Sequence, residues 1–143
     1  MKILFLDIDG VVNCEHTRQR HRGFTGIDPH LAFIVGKITL AIPELKVVLS
    51  SSWRMFEDGG IDEIESQVVP LYGQTPRLEG EIRGKEIQAW LDQHPEVERY
   101  AILDDDNDML PVQMPNFFQT AWHTGITEEV AKRVIEHLQG SHN

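Results

Sequence analysis

The chain of 143 residues carries 13 Lys and Arg against 23 Asp and Glu, which gives a formal net charge of −10. This length suits one domain, so we expect residues 1–143 to fold as a single unit. The hydrophobic content of 41% is enough to bury a core, which excludes a disordered or fibrous protein. The acidic balance disfavours a long basic groove that would bind a nucleic-acid backbone.

Targeting and redox features point to the cytoplasm. The N-terminus runs directly into acidic residues, where a signal peptide would carry a small-residue cleavage site. No apolar run reaches the roughly 18 residues that a membrane-spanning helix requires. Cys14 is the single cysteine, so it has no partner for an internal disulfide. We therefore expect a cytoplasmic protein with no membrane segment.

Alternating strand and helix patterns predict an α/β fold. Four short apolar runs predict buried strands at Lys2 to Leu6, Leu45 to Leu49, Tyr100 to Leu103 and Phe117 to Trp122. Helical spacing predicts helices at His30 to Ala41, Gly60 to Val69, Gly84 to His94 and Thr127 to Gln139, and Pro70 to Gly80 is typical of a loop with room for a short strand pair. Asp28 and Thr127 are the expected N-caps. This order indicates a three-layer α/β/α sandwich with a mainly parallel, Rossmann-like sheet.

Acidic residues follow two of the predicted strands. Asp7 and Asp9 come directly after Leu6, and the run Asp104 to Asp108 follows Leu103. Parallel strands end at the same edge of a sheet, where these like charges would repel unless they share a cation or take up a proton. Mg²⁺ suits such a site because it binds a few carboxylates and leaves positions for substrate phosphate oxygens. The alternative, in which each Asp only caps a turn, is disfavoured because the pattern recurs after two matched strands.

Small hydroxyl side chains follow the second predicted strand. Ser50, Ser51 and Ser52 come directly after Leu49, and Arg54 lies just beyond them. Hydroxyl and guanidinium groups at a strand end can donate hydrogen bonds to a phosphoryl oxygen. A helix cap is the ordinary alternative for such serines. A serine nucleophile is disfavoured because no G-x-S-x-G elbow surrounds them.

Two cations open the third predicted helix. Arg83 and Lys85 could offset the carboxylates and hold a phosphate, and a solvated basic pair is the alternative interpretation. The sequence does not choose between the two side chains.

In chain order, these four elements resemble the four motifs of the haloacid dehalogenase (HAD) superfamily of aspartate-nucleophile phosphohydrolases. The DxDG segment at Asp7 looks like the first motif, Ser50 to Ser52 the second, Arg83 or Lys85 the third, and the acidic run after Leu103 the fourth. More narrowly, FLDIDGVVN, LSSSWR, RGKEIQAWL, ILDDDNDM and HTGITEEVAKRVIEHL look like the HAD domain of Swiss Army Knife RNA repair proteins. The resemblance implies the HAD type of α/β fold with a minimal cap.

The resemblance also implies a mechanism and a metal site. Asp7 would attack phosphorus to form an aspartyl-phosphate, and Asp9 would act as general acid and then as general base. Mg²⁺ would be held by the Asp7 carboxylate, the Asp9 backbone carbonyl and Asp105, with Asp104 or Asp108 in support. Both aspartates of the DxD pair are present, so we expect an active enzyme.

The phosphate-binding side chains keep two alternatives open. Ser51 is the first choice for the phosphate-binding hydroxyl and Ser50 the second, because the register of three consecutive serines cannot be set without coordinates. Arg83 and Lys85 are similarly interchangeable for the cation.

The short distance between the first two motifs leaves only a flap, at Asn13 to Ile27, to cover the site, so we expect an open cleft. The resemblance then implies a macromolecular end or a bulky substrate, which small-capped members of the superfamily often accept. The flap concentrates basic residues, although the chain as a whole is acidic. We expect its Arg20 and Arg22, together with Arg54, to contact substrate, while an ordinary solvated loop is the alternative.

Three functions remain open at this point. The first is a Mg²⁺-dependent phosphomonoesterase acting on a nucleotide or a nucleic-acid end. The second is a phosphatase of a small metabolite or a phosphoprotein. The third is a metal- or phosphate-binding module without turnover.

Overall fold

The computed structural model describes residues 1–56 and 59–140. A sheet of five parallel strands lies at its centre. In chain order the strands are β1 (Lys2–Leu6), β4 (Lys46–Leu49), β5 (Gly73–Gln74), β6 (Arg99–Asp104) and β7 (Phe117–Gln119), while β2 (Arg20–His21) and β3 (Phe24–Thr25) form a separate antiparallel pair. The helices are α1 (Pro29–Ala41), α2 (Gly60–Gln67), α3 (Arg83–Asp92) and α4 (Glu128–Gln139).

The predicted strands are confirmed, with differences in two places. β7 ends at Gln119, so the predicted end at Trp122 is wrong. The Thr120 amide still donates to the Asp104 carbonyl at 2.9 Å, but Ala121 then forms an antiparallel bridge with Gly125, so the chain turns back and leaves the sheet. The Thr120 hydroxyl donates to the carbonyl of Gly10 at 2.6 Å. The predicted loop at Pro70 to Gly80 contains β5, which adds a parallel edge strand beside β4.

The four predicted helices are also confirmed, and two of them begin at the expected caps. Asp28 Oδ1 accepts a hydrogen bond from the His30 amide at 3.0 Å. Thr127 Oγ1 accepts one from the Val130 amide at 3.2 Å. These side chains satisfy amides that have no partner within the helix. None of the helices in the described residues combines the length and apolar character needed to cross a bilayer.

The core lies on both faces of the sheet, because successive side chains of a strand point to opposite faces. On one face Phe5 packs edge to face against Trp90 of α3, with ring centroids 5.5 Å apart. On the other face Leu4 and Leu6 join a cluster with apolar residues of α1 and α4, including Val134. The result is the predicted three-layer α/β/α sandwich.

The strand order places the crossover point of the fold at β1. The order across the sheet is β5-β4-β1-β6-β7. The chain therefore moves from β1 to β4 on one side and later returns to β6 on the other side. Ligand sites in open α/β sheets lie at the carboxyl ends of the strands at such a crossover point. Here the residues that follow β1, β4 and β6 meet at that point.

The flap at residues 13–27 is a short hairpin. Its β2 and β3 strands turn at Arg22 and Gly23, with φ angles of 53° and 84°. Cys14 and His21 are buried, and Cys14 is a free thiol. The segment therefore packs on the body of the protein as a small lobe.

Candidate active site

Three carboxylates meet at the carboxyl edge of the sheet. Asp7 follows β1 directly, Asp104 is the last residue of β6, and Asp105 is the next residue. The Asp7 amide extends the β1–β6 pairing by donating to the Leu103 carbonyl at 3.0 Å. Each of the three aspartates offers a carboxylate oxygen within 4.8 Å of the other two. The parallel pairing of two strands thus brings together acidic residues that are far apart in the sequence.

The electrostatics of this cluster oppose full ionisation. Burial raises the pKa of Asp7 well above its ordinary value, and the neighbouring Asp104 and Asp105 raise it further. Burial also raises the pKa of Asp104, to about 7. The pKa of Asp105 is raised mainly by burial as well. Without a counter-charge, the cluster is therefore expected to retain protons that isolated aspartates would lose.

The donor set of this cluster fits a hard divalent cation. It consists of carboxylate oxygens alone, which suit Mg²⁺ and not a soft metal. Gly10 has a φ of +83°, and a Cβ at this position would lie 2.7 Å from Cβ of Asp105. Glycine therefore lets Asp105 approach the turn after β1. The carboxylate of Asp9 does not belong to the three-carboxylate group.

Asp9 is held apart from the cluster by two donors. Its Oδ1 accepts hydrogen bonds from Asn13 Nδ2 at 2.9 Å and from Trp53 Nε1 at 3.2 Å. Asn13 is fully buried, donates also to the Gly26 carbonyl, and accepts from the Gly10 amide, both at 2.9 Å. Asn13 therefore ties the DxDG turn to the flap and orients the second aspartate of the pair.

A small cleft of about 200 Å³ opens over these groups. It is lined by Asp7, Asp9, Ser52, Arg83, Asp104, Asp105, Asp106 and Asp108. We call it the acidic cleft. Arg83 is the cation among its lining residues.

The three serines occupy three different environments. Ser50 and Ser51 are fully buried, whereas Ser52 is exposed and lines the acidic cleft. Ser51 Oγ accepts a hydrogen bond from the Trp53 amide at 3.1 Å and so caps the short 3₁₀ turn Ser52–Met55. Ser50 Oγ is buried without a hydrogen-bond partner among the described residues. Ser52, which the sequence did not single out, is thus the serine that borders the cleft.

The two candidate cations of α3 also lie in different environments. Arg83 lines the acidic cleft, and its Nε lies 4.0 Å from Asp104 Oδ2. Its amide donates to Asp108 Oδ2 at 3.3 Å. Lys85 is exposed and does not line the cleft.

A buried glutamate holds Arg83 in place. Glu86 is 5% exposed and pairs through Oε1 with Arg83 Nη1 at 3.0 Å and through Oε2 with Arg54 Nη2 at 2.8 Å. Its Oε2 also accepts from the Leu78 amide at 2.8 Å. Burial lowers the pKa of Arg54, with a further contribution from the nearby Arg83. Arg54 lines a neighbouring cavity of about 390 Å³ that shares Ser52 and Arg83 with the acidic cleft.

The two flap arginines lie outside the acidic cleft. Arg20 is exposed and donates from Nη1 to the carbonyls of Thr17 and Gln19, at 3.0 Å each. Arg22 sits at the hairpin turn beside a small cavity that Phe24 also lines. Their contact with substrate stays a prediction.

Sequence patterns missed the supporting residues of the site. Part of what these residues do depends on tertiary folding. Asn13 bonds Gly26 at the end of the flap, and Thr120 bonds Gly10. Glu86 pairs with Arg54. Two of them also had a local signal. Asn13 lies three residues after Gly10, within reach of its amide, and Glu86 lies about one helical turn after Arg83.

Comparison with known families agrees with the fold. A family model described as the HAD domain in Swiss Army Knife RNA repair proteins matches residues 3–131. A comparison with curated proteins gives no significant match.

Proposed function

The chain belongs to the family of HAD domains found in Swiss Army Knife RNA repair proteins, and from this premise we propose that it is a Mg²⁺-dependent phosphomonoesterase that acts through an aspartyl-phosphate. The observation that carries the proposal is the acidic cleft, where Asp7 lies beside two further carboxylates, one arginine and a separately held Asp9. Burying several carboxylates together lowers the stability of the fold, so a cluster of this kind favours a functional role.

The first step transfers the phosphoryl group to the enzyme. A carboxylate oxygen of Asp7 attacks phosphorus, and the bond between phosphorus and the ester oxygen breaks. Asp9, as the carboxylic acid, gives its proton to the departing oxygen. Its Oδ1 is already engaged by Asn13 and Trp53, so Oδ2 is the atom that would carry this proton.

The second step returns the enzyme to its starting state. Asp9, now a carboxylate, accepts a proton from water as the water oxygen attacks phosphorus. The bond between phosphorus and Asp7 breaks, inorganic phosphate leaves, and Asp9 is again protonated. The same residue thus serves as acid and then as base.

Charge in the acidic cleft is balanced from two sides. Asp7, Asp104 and Asp105 would hold Mg²⁺, with the Asp9 carbonyl as a further proposed ligand, and the ion when bound would neutralise charge between the anionic nucleophile and the anionic substrate. Arg83 supplies a fixed positive charge that Glu86 orients. Ser52 borders the same cleft and can donate to a phosphoryl oxygen.

We propose a nucleotide or a nucleic-acid end as the substrate class. Between β1 and α1 the strands form one short hairpin, and the residues that line the acidic cleft do not include any of 13–27. Such limited cover supports a bulky leaving group. The family occurs in RNA repair proteins, which supports the same class. Arg54, Arg20 and Arg22 are the proposed contacts for the remainder of the substrate.

The decisive experiment measures phosphate release with Mg²⁺ from an aryl phosphate, from 3′- and 5′-phosphorylated oligonucleotides and from mononucleotides. Sugar phosphates and a phosphopeptide represent the alternative substrate classes. We expect Asp7→Asn to lower kcat by about 10³-fold or more, and Asp9→Asn to lower it by roughly 10²-fold to 10⁴-fold. EDTA should abolish turnover of the unmodified protein.

Each other outcome changes a different part of the proposal. Activity that survives Asp7→Asn would refute the aspartyl-phosphate mechanism. A preference for the phosphopeptide or sugar phosphates would keep the chemistry and replace the substrate class. A folded protein that binds Mg²⁺ but releases no phosphate from any substrate would favour the binding module.

A further inference from the structure

A second group of metal-ligating side chains lies outside the acidic cleft. It consists of Glu15 and His16, in the first part of the flap, and His123, in the loop that follows β7. All three are exposed, and each offers a ligand atom within 4.8 Å of the other two. None of them has a part in the chemistry proposed above.

The backbone places these side chains together. The Glu15 amide donates to the carbonyl of Trp122 at 2.9 Å, next to His123 in the chain. Nearby, the Ile126 amide donates to the carbonyl of Val11 at 2.9 Å. The start of the flap and the loop after β7 therefore run side by side, so that the ligand atoms are brought into range before any ion binds.

The side chains themselves already face one another. His123 Nδ1 is in hydrogen-bond contact with Glu15 Oε1. The rings of His16 and His123 pack edge to face, with centroids 5.4 Å apart. Because Zn²⁺ lies about 2.0–2.2 Å from nitrogen and oxygen ligands, ligand atoms within 4.8 Å of one another need only short movements to bind one ion.

We propose that Glu15, His16 and His123 form a binding site for a transition-metal ion of the Zn²⁺ class. Two imidazole nitrogens and one carboxylate oxygen are a donor set that Zn²⁺ favours, with water completing a tetrahedral shell. Imidazole ligands select against Mg²⁺, which prefers oxygen alone. The chain therefore contains two sites of different chemistry, and the ion at this one links the base of the flap to the loop after β7.

The test is calorimetric titration of Zn²⁺ into the full chain in excess Mg²⁺, which keeps the acidic cleft occupied. A parallel titration with Co²⁺ reports through its visible absorption whether the ion enters a four-coordinate site. The variants are His16→Ala, His123→Ala and the milder Glu15→Gln. His30→Ala is the matched control, because His30 is also exposed and lies outside the group.

We expect one Zn²⁺ per chain in the unmodified protein and in His30→Ala. The affinity should fall by about tenfold or more in His16→Ala and in His123→Ala. Circular dichroism checks that the variants remain folded. Equal affinity in the two histidine variants and the unmodified protein would overturn the proposal, as would the absence of Zn²⁺ binding in Mg²⁺ buffer. Binding that disappears only when Asp105→Asn is introduced would assign the ion to the acidic cleft and would equally overturn it.

Discussion

At the scale of single residues, Gly10 decides how closely the two acidic segments approach. Its φ of +83° is a conformation that L side chains rarely adopt, and the space for a Cβ is filled by Asp105. The glycine therefore serves both the turn after β1 and the position of a proposed metal ligand.

Gly10→Ala should weaken Mg²⁺ binding by about tenfold or more, because Asp105 must move away from the added methyl group. The backbone conformation adds a stability cost of about 1–2 kcal/mol. Gly59→Ala is the control, since Gly59 has a φ of +84° and a Cβ there meets no described atom within 4 Å. Calorimetric Mg²⁺ titration and denaturant unfolding measure the two effects. If both variants bind Mg²⁺ alike, Gly10 does not set the position of Asp105.

Asn13 orients Asp9 without taking part in the proposed reaction, so its role can be tested separately from that of the reacting groups. Asn13→Ala should lower kcat by about tenfold or more, because Asp9 loses one of the two donors that orient it. It should also destabilise the fold by about 1–3 kcal/mol, because the Gly10 amide and the Gly26 carbonyl lose a buried partner.

Leu138→Ala provides the control for lost stability. Leu138 is fully buried in α4 and lies in the core, away from Asp9. Its truncation should destabilise by about 2–5 kcal/mol with little change in kcat per folded molecule. Similar kcat values for the two variants would show that Asn13 acts through stability alone.

At the scale of elements, the first turn of α3 separates two cations that the sequence could not rank. Arg83 and Glu86 stand three residues apart on one face of the helix, so the ion pair between them is a local consequence of helical spacing. Lys85 points to a different side of the helix and is exposed to solvent. Which face is turned to the cleft depends on the packing of α3 on the sheet.

Arg83→Ala should lower kcat/KM by about 10²-fold or more, because it removes the positive charge beside the phosphoryl group and leaves Glu86 with one fewer partner. Lys85→Ala should change kcat/KM by less than about twofold, since Lys85 is outside the cleft. Steady-state kinetics on the preferred substrate compare the two. The reverse order of effects would assign the phosphate-binding cation to Lys85.

In the turn after β4, too, local sequence patterns cannot tell which of several similar residues lies at the cleft. β4 pairs with β1 so that Leu6 lies opposite Leu49, and the Ser50 amide continues the pairing to the Leu6 carbonyl at 2.9 Å. This register puts Ser50 inside the protein beside β1, and the 3₁₀ turn then uses Ser51 as its cap. Three identical residues thus receive three environments, which no composition argument can assign.

At the scale of the whole molecule, the carboxylates link stability to pH and to metal. Asp104 has a pKa raised from the ordinary 3.8 to about 7, so the folded state holds this proton to a higher pH than the unfolded state does. The metal-free protein should therefore lose stability as the pH rises from about 4 to about 7. Raised pKa values at Asp7 and Asp105 act in the same direction.

Thermal unfolding at pH 5 and pH 8, in EDTA and in Mg²⁺, measures this linkage. We expect the lowest Tm in EDTA at pH 8 and a rise on adding Mg²⁺, which binds the ionised cluster. Asp104→Asn should flatten the pH dependence in EDTA, which separates the cluster from the general effect of the net charge of −10. A Tm in EDTA that is equal or higher at pH 8 would contradict the prediction.

The sequence by itself determined the layers of the fold and the aspartates that meet at the carboxyl edge of the sheet. The apolar run before Asp7 and the apolar run before Asp104 are recognisable in the sequence, because the change from apolar to acidic residues that marks a strand end is local. Only the tertiary structure decided that Ser52 and Arg83 border the cleft and that His123 lies against Glu15. Strand register, helix phase and the packing of loops on one another arise from contacts between distant segments, and a single sequence carries no direct signal of them.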